Sequence, residues 1–316
     1  MKNSRREFLK TTSATVAGVV ISPHIIAGSA ISGAKRDPIC VFSKCLQFLD
    51  YEHLGETLAL VGFDGADMSV RKGGHVLPEN IKIDFPKAVK ALQKSGISVP
   101  MMVTDINGQD NQQTEQILGT ASDLGVKFYR MGYLNYDKEK TIQANLDDHK
   151  KSIEKLEKIN QKFGIHGSYQ NHPGTVVGAP LWDLYWLLKD SNPINIGVQY
   201  DIGQAVMEGS ASWPLALKLL SPWVKTTVIK DFEWQKKNGK WERTYVPLGN
   251  GMVDFDTYLK MYSGLGLSGP ITVHYEYDLG GAQSGKKNPK MSLDEITVFL
   301  KNDFKWLTNK LNEHKI

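Results

Sequence analysis

An α/β fold of the (β/α)8 barrel class is what this sequence predicts, and three observations carry the expectation. Short apolar, β-branched runs recur along the chain, and a helical pattern follows each one. Eight such units fill one stretch with no Pro-rich, Ser-rich or charged linker to divide it. The first run leads into FSKCLQFLDYE, which lacks the Gly-rich phosphate loop that a doubly wound sheet would carry there. The same absence leaves no nucleotide cofactor to expect.

In order, the strand and helix patterns are 39–42 with 53–61, 66–70 with 86–94, 99–104 with 113–123 and 127–131 with 142–163. They continue as 166–170 with 181–189, 197–200 with 213–220, 226–230 with 255–262 and 271–275 with 293–311. The last helix opens on Ser292 with Glu295 three residues later, the spacing of a reciprocal cap. Cys40 and Cys45 fall five apart in one expected strand region, face opposite sides, and read as buried thiols rather than a disulfide.

The first residues stand apart from this rhythm. SRREFLK (4–10) sets Arg5 and Arg6 before Phe8 and Leu9, a mostly apolar run follows, and the small residues Ala27-Gly28-Ser29-Ala30 close it. The pattern is that of a twin-arginine export signal over 1–30, leaving a single barrel domain over 31–316 and a periplasmic or otherwise extracytoplasmic protein. Ser13, Gly18, Ser22, Pro23 and His24 interrupt the run, so it makes a poor membrane span, and no later stretch is apolar enough to be one. Removing the leader takes away Lys2, Arg5, Arg6 and Lys10 with Glu7, and the formal net charge falls from +4 to +1. A basic stripe for nucleic acid is therefore not expected.

In a barrel of this class the chemistry gathers at the carboxyl ends of the strands. Here those ends carry Arg71 and His75 after the second strand, Asp105 after the third and Arg130 on the fourth. Gln170 and His172 follow the fifth, Asp201 and Gln204 the sixth, Lys230 and Asp231 the seventh, His274 and Glu276 the eighth. Ionisable groups are costly to bury unpaired, so their accumulation on one rim points to a site.

Several stretches occur in a telling order: GFDGADMSVRKGGHVLPE (62–79), YRMGY (129–133), QNHPG (170–174), QYDIGQA (199–205), IKDFEW (229–234), PLGNGMVD (247–254) and HYEYDLGG (274–281). Over nearly the whole of 31–316 the chain resembles the sugar phosphate isomerase/epimerase family, the xylose-isomerase-like barrels. That resemblance implies a divalent metal held by Glu on strand five, Asp on six, His on seven and Glu on eight, with the two glutamates moving the substrate proton. In this sequence only Asp201 matches. Gln170, Val228 and His274 stand at the other three positions, Gln204 replaces a frequent histidine, and Asn250 replaces the glutamate of the PLGEG turn.

The expected function is that of an isomerase or epimerase acting beside a carbonyl of a phosphate-free saccharide, oxidised keto-sugars included. The catalytic candidates are His274, Glu276 and Lys230; His75, Arg130, Gln170, His172, Gln204 and Trp234 are the substrate-binding candidates. One divalent metal (Mn, Zn or Mg) on Asp201, His274, Glu276 and Gln170 is the cofactor candidate, and a homo-oligomer is compatible with the sequence. Two other readings stay open: a lyase eliminating from 3-keto-glycosides, and a non-catalytic sugar-binding barrel with Trp182, Trp186 or Trp234 stacking on sugar rings.

Overall fold

A computed structural model describes residues 36–108 and 111–316; the expected export signal at 1–30 lies outside the described residues. Arg36–Ile316 forms one compact unit. Eight parallel strands close a barrel: β1 (Ile39–Phe42), β2 (Gly65–Ser69), β3 (Ser98–Val103), β4 (Phe128–Arg130), β5 (His166–Gln170), β6 (Ile196–Asp201) and β7 (Val224–Ile229) in turn, and last β10 (Ile271–Val273), which pairs β7 to β1. Barrel strands and expected strands coincide at 39–42 and 166–170 and differ elsewhere by at most two residues at an end.

Around them lie α1 (Tyr51–Val61), α2 (Ile81–Lys94), α3 (Asn111–Asp123), α4 (Ile142–Phe163), α5 (Leu181–Leu188), α6 (Ile202–Gly209), α7 (Trp213–Leu220), α8 (Phe255–Gly264) and α9 (Leu293–Glu313). Side-chain caps set several starts. Asp50 accepts from the His53 N–H ahead of α1, Thr141 from Ala144 ahead of α4, and Ser292 with Glu295 forms the expected capping box of α9. Each cap satisfies a backbone donor that the first turn of a helix leaves orphaned.

The sequence reading needs correction in four places. Helix α2 starts at Ile81, not at 86, so Pro86 sits inside it, just past the first turn, and removes one backbone bond there. Helix α6 was not expected, because Asp201 ends β6 and caps α6 with no loop between. The chain after β7 folds into an antiparallel hairpin, β8 (Asp231–Lys237) with β9 (Lys240–Val246), joined by Asn238 and Gly239 at φ of 50° and 79°. Both values are positive, as a two-residue hairpin turn matched to strand twist requires. Cys40 lies on β1 but Cys45 lies in the 3-10 turn Ser43–Leu46 that follows; both are buried free thiols.

The main core fills the layer between barrel and helices, with Leu54, Leu58, Phe85, Leu118, Leu156, Leu184, Leu217 and Leu300 inaccessible or nearly so. The barrel interior is more polar: Asp67, Gln199 and Thr272 approach one another in it, all fully buried. Trp182 and Trp186 sit half-exposed on α5. Among the described residues no helix is long and apolar enough to cross a membrane.

Candidate active site

Strand alternation sends every second residue of a barrel strand inward. At the carboxyl rim this brings Gln170 from β5, Lys230 from the end of β7 and His274 from the end of β10 onto one cavity of about 240 Å³, with Asp201 from β6 directly behind Lys230. Its other walls come from Phe42 at the end of β1, Lys44 after it, Arg71 after β2, Arg130 on β4 and Tyr133 just beyond. The hairpin closes it with Arg243 and Tyr245.

The centre is a buried ion pair. Lys230 Nζ lies 2.8 Å from Asp201 Oδ2, with side-chain exposures of 4% and 0%. Asp201 Oδ2 also accepts from Gln170 Nε2 at 2.7 Å, and its Oδ1 accepts from the Gln204 N–H at 3.0 Å. Burial disfavours a charged Lys230, but Asp201 and Glu276 outweigh it and hold its proton more firmly than usual. Next door, Gln170 turns its carbonyl oxygen to the Tyr133 hydroxyl at 2.9 Å and to Arg130 at 3.3 Å. Asn171 locks the two strand ends together, donating to the Asp201 carbonyl and accepting from its N–H.

The opposite wall is organised by charge. Lys44 Nζ donates to both Glu276 oxygens at 3.0 Å. Burial raises the Glu276 carboxyl, yet Lys230 and Lys44 together leave it below its ordinary value and ionised. His274 is buried, and its Nε2 has no hydrogen-bond partner. Burial first, then Lys230, Lys44, Arg130 and Arg71, push its pKa well below the usual histidine range, so the imidazole is neutral. His172 is pushed down to about 4 by burial and Lys230.

The family model of the xylose isomerase-like TIM barrels matches residues 55–302. The chain belongs to that family. Among curated proteins no relative matches the sequence. Solved structures share the fold of this xylose isomerase-like barrel. An L-ribulose 3-epimerase is 12% identical with a TM-score of 0.67, covering 88% of this chain and 96% of its own. A 3-keto-D-glucoside 4-epimerase from E. coli is 13% identical with a TM-score of 0.62, covering 87% and 100%. A xylose isomerase-like barrel from Mycobacterium smegmatis, determined in complex with magnesium, is 16% identical with a TM-score of 0.57, covering 85% and 98%.

The divalent metal that the resemblance implies does not fit the residues present in this barrel. Both oxygens of Asp201 are already taken by donors, one of them the Lys230 ammonium, so a cation stands where a metal would bind. Gln170 offers Asp201 an N–H and points its oxygen away. Val228, at the histidine position of strand seven, is apolar and buried. No cluster of three or more His, Cys, Asp or Glu among the described residues has the arrangement of a metal site. The expected ligand set of Asp201, His274, Glu276 and Gln170 is therefore corrected to a lysine-centred network. Lys230 lies two residues beyond Val228 on the same strand line, one rung nearer the rim, from where its long side chain reaches back to Asp201.

Of the expected site residues, Arg130, Gln170, His172, Gln204, Lys230, His274 and Glu276 line the cavity, and Asp201 lies directly behind Lys230. Two do not. His75 faces the 3-10 turn after β1, with Nδ1 3.1 Å from Ser43 Oγ and Nε2 3.1 Å from the Leu46 carbonyl, so it braces that turn. Trp234 is 42% exposed and packs edge-on against Phe232, because β8 carries it away from the rim. Asp231 brackets a loop, accepting from the backbone of Gly249, Gly251 and Val253. A Cβ on Gly251 would come 2.2 Å from Asp231 Oδ1, so that close approach requires glycine. Arg71, expected at the carboxyl rim though given no role, also lines the cavity, whereas Lys44, Tyr133, Arg243 and Tyr245 were missed as lining residues. For Arg243 and Tyr245 a signal existed: Asn238-Gly239 between alternating stretches marks the hairpin that carries them.

Proposed function

We propose that this barrel is an enzyme of the sugar isomerase/epimerase type that moves a proton beside a substrate carbonyl, with Lys230 in the electrostatic role otherwise given to a metal. The observation that carries the proposal is the pairing, in one cavity, of a fixed ammonium with a neutral buried imidazole whose Nε2 is unpartnered. The ammonium stabilises negative charge developing on a carbonyl oxygen, and it does so in a site with little water to compete. His274 Nε2 is the proton acceptor. Its low basicity is offset by being wholly neutral at physiological pH and by an acidic C–H next to a carbonyl. Glu276, ionised and fixed by Lys44, orients substrate hydroxyls or passes the proton on. Gln204 Oε1, buried without a partner, accepts from a further hydroxyl. Gln170 is a neutral spacer: its N–H satisfies Asp201, and an amide cannot serve as a base.

A phosphate-free saccharide, keto-sugars included, is the proposed substrate class. Export by the twin-arginine route is part of the same reading and is supported by the Arg5-Arg6 leader.

The test is solvent exchange. Wild-type protein is incubated in D2O with a panel of ketoses and keto-glycosides, and deuterium wash-in is followed by NMR. His274→Ala is expected to lower the exchange rate roughly a hundredfold or more while still unfolding cooperatively. Equal exchange in both proteins refutes the assignment. Saturable sugar binding without exchange supports the non-catalytic reading instead, and exchange with loss of a glycosidic leaving group supports the lyase.

A further inference from the structure

The cavity carries more positive charge than the chain neutralises. Five cationic side chains line it, and two are matched: Lys230 by Asp201 and Lys44 by Glu276. Arg71, Arg130 and Arg243 have no carboxylate within ion-pair distance among the described residues. Arg243 stacks on Tyr245 at the exposed mouth, where solvent screens it. The other two are different. Arg130 is only 3% exposed, and its contacts are all neutral: the Tyr133 hydroxyl, the Gln170 oxygen and the Thr104 carbonyl. Its Nε is buried with no hydrogen-bond partner. Arg71 lines the same cavity half-buried, its guanidinium 5.2 Å over the Phe42 ring, and it is close enough to Arg130 for the two charges to oppose each other.

The remaining acids near this pair do not balance it. Asp105 is exposed on the loop after β3. Asp67 lies in the barrel interior, where burial raises its pKa to about 7 against the pull of Arg130 and Arg71, so it is only partly ionised near neutrality. A buried guanidinium without an anion is expensive, and a planar fork beside another cation is a receptor for a carboxylate. At about 240 Å³ the cavity is below the usual range for drug-sized ligands and suits a single sugar ring.

We propose that the substrate is an acidic monosaccharide of the uronate or keto-aldonate class, whose carboxylate is held between Arg71 and Arg130 while its carbonyl end faces Lys230 and His274. This rests on the reading of the cavity as a sugar site, and it replaces a neutral sugar with an anionic one. An ionic handle at one end fixes the ring at the other, so that one C–H is presented to the imidazole. A single carboxylate also suits the excess charge, two guanidinium groups set against a partly ionised Asp67.

The experiment is binding, which does not depend on turnover. D-Glucuronate, D-galacturonate and D-gluconate are titrated calorimetrically into the purified protein beside their neutral counterparts D-glucose, D-galactose and D-glucitol, with D-glucose 6-phosphate as a separate arm. At least one acid is expected to bind about tenfold or more tighter than its neutral counterpart, and to weaken as NaCl is raised. Arg71→Gln, at a half-buried position, is expected to remove most of that preference with cooperative unfolding retained; Arg130→Gln is the second variant. The inference is overturned if no acid outdoes its neutral counterpart, or if Arg71→Gln keeps the full preference. A preference for the 6-phosphate over every carboxylate overturns the carboxylate assignment. The two proposals fail separately: with the acids added to the D2O panel, tight binding of an acid with no deuterium exchange into it sinks the proton-transfer reading alone, and exchange with neutral ketoses but no acid preference sinks this one alone.

Discussion

Replacing Lys230 by methionine, which keeps the stem and removes the charge, tests the lysine-centred network directly. The ammonium lies 2.8 Å from Asp201 Oδ2, and neither side chain reaches solvent to any extent. At that separation and an effective dielectric of about 20 the direct attraction is about 6 kcal/mol, part of which offsets the cost of burying both charges. Deleting one partner strands the other, and the net loss expected is about 3–5 kcal/mol. For a domain of this size that corresponds to a fall in Tm of roughly 10 °C. The loss should also depend on pH in a definite direction. Burial already raises the Asp201 carboxyl above its ordinary value against the pull of Lys230, and without the ammonium it rises further, so the folded variant binds a proton that the unfolded chain has released near neutrality. Stability of the variant therefore falls as pH rises above the ordinary carboxylate range, and its deficit against wild type shrinks as pH drops toward about 4. Urea denaturation of wild type, Lys230→Met, Asp201→Asn and the double variant at pH 7 and pH 5 measures this. The double variant should be less destabilised than the two singles combined, because it leaves no unpaired charge. Additive losses, or a Lys230→Met deficit below about 1 kcal/mol, would refute an ion pair at the centre of the site.

Two further outcomes follow from the same geometry. Gln170→Glu replaces the amide N–H facing Asp201 at 2.7 Å by a carboxylate oxygen, so the two acids must share a proton. It is expected to cost about 1–3 kcal/mol at pH 7 and less at pH 5; a recovery of stability on adding Mn²⁺ or Mg²⁺ would show that the site accepts a metal after all. The second concerns His166, buried near Phe128 away from the cavity and pushed down to about 4, mainly by burial. Because its folded pKa lies below the unfolded value, its contribution is intact above about pH 6.5 and is lost as pH falls through the window down to about 4. Asp67 and Asp303, raised to about 7 by burial, oppose that trend in the whole protein, so the comparison must be His166→Phe against wild type. The variant should gain on wild type by roughly 3 kcal/mol between pH 6.5 and pH 4, and parallel stability curves would contradict this.

Much of the site's membership was legible in the sequence, and the reason is geometric. Once the alternation of strands and helices identifies a barrel, parity and the carboxyl-end rule send Arg130, Gln170, Lys230, His274 and Glu276 to one rim without any knowledge of the packing. The same parity could not place His75 or Trp234. Both follow strand ends in sequence, yet His75 turns under the loop after β1, and Trp234 rides outward on a hairpin whose turn signal was present but unread. Tyr245 and Arg243 lie on the returning strand of that hairpin, and only its register shows that they reach the cavity.

Which charge neutralises which was decided by the tertiary structure. Lys44 and Glu276 stand 232 residues apart in sequence and meet because β10 closes the barrel against β1. Lys230 faces Asp201 because their strands are neighbours, and Gln170 satisfies the same carboxylate from the other side. Taken one position at a time, the sequence could only register a missing glutamate and a missing histidine. The folded chain turns those absences into a consistent arrangement: the Lys230 ammonium lies against Asp201, and Gln170 meets the same carboxylate with an N–H rather than a second negative charge. Residue types and strand parity are local properties that a sequence states outright, whereas the pairing of buried charges depends on distances set by closure of the barrel.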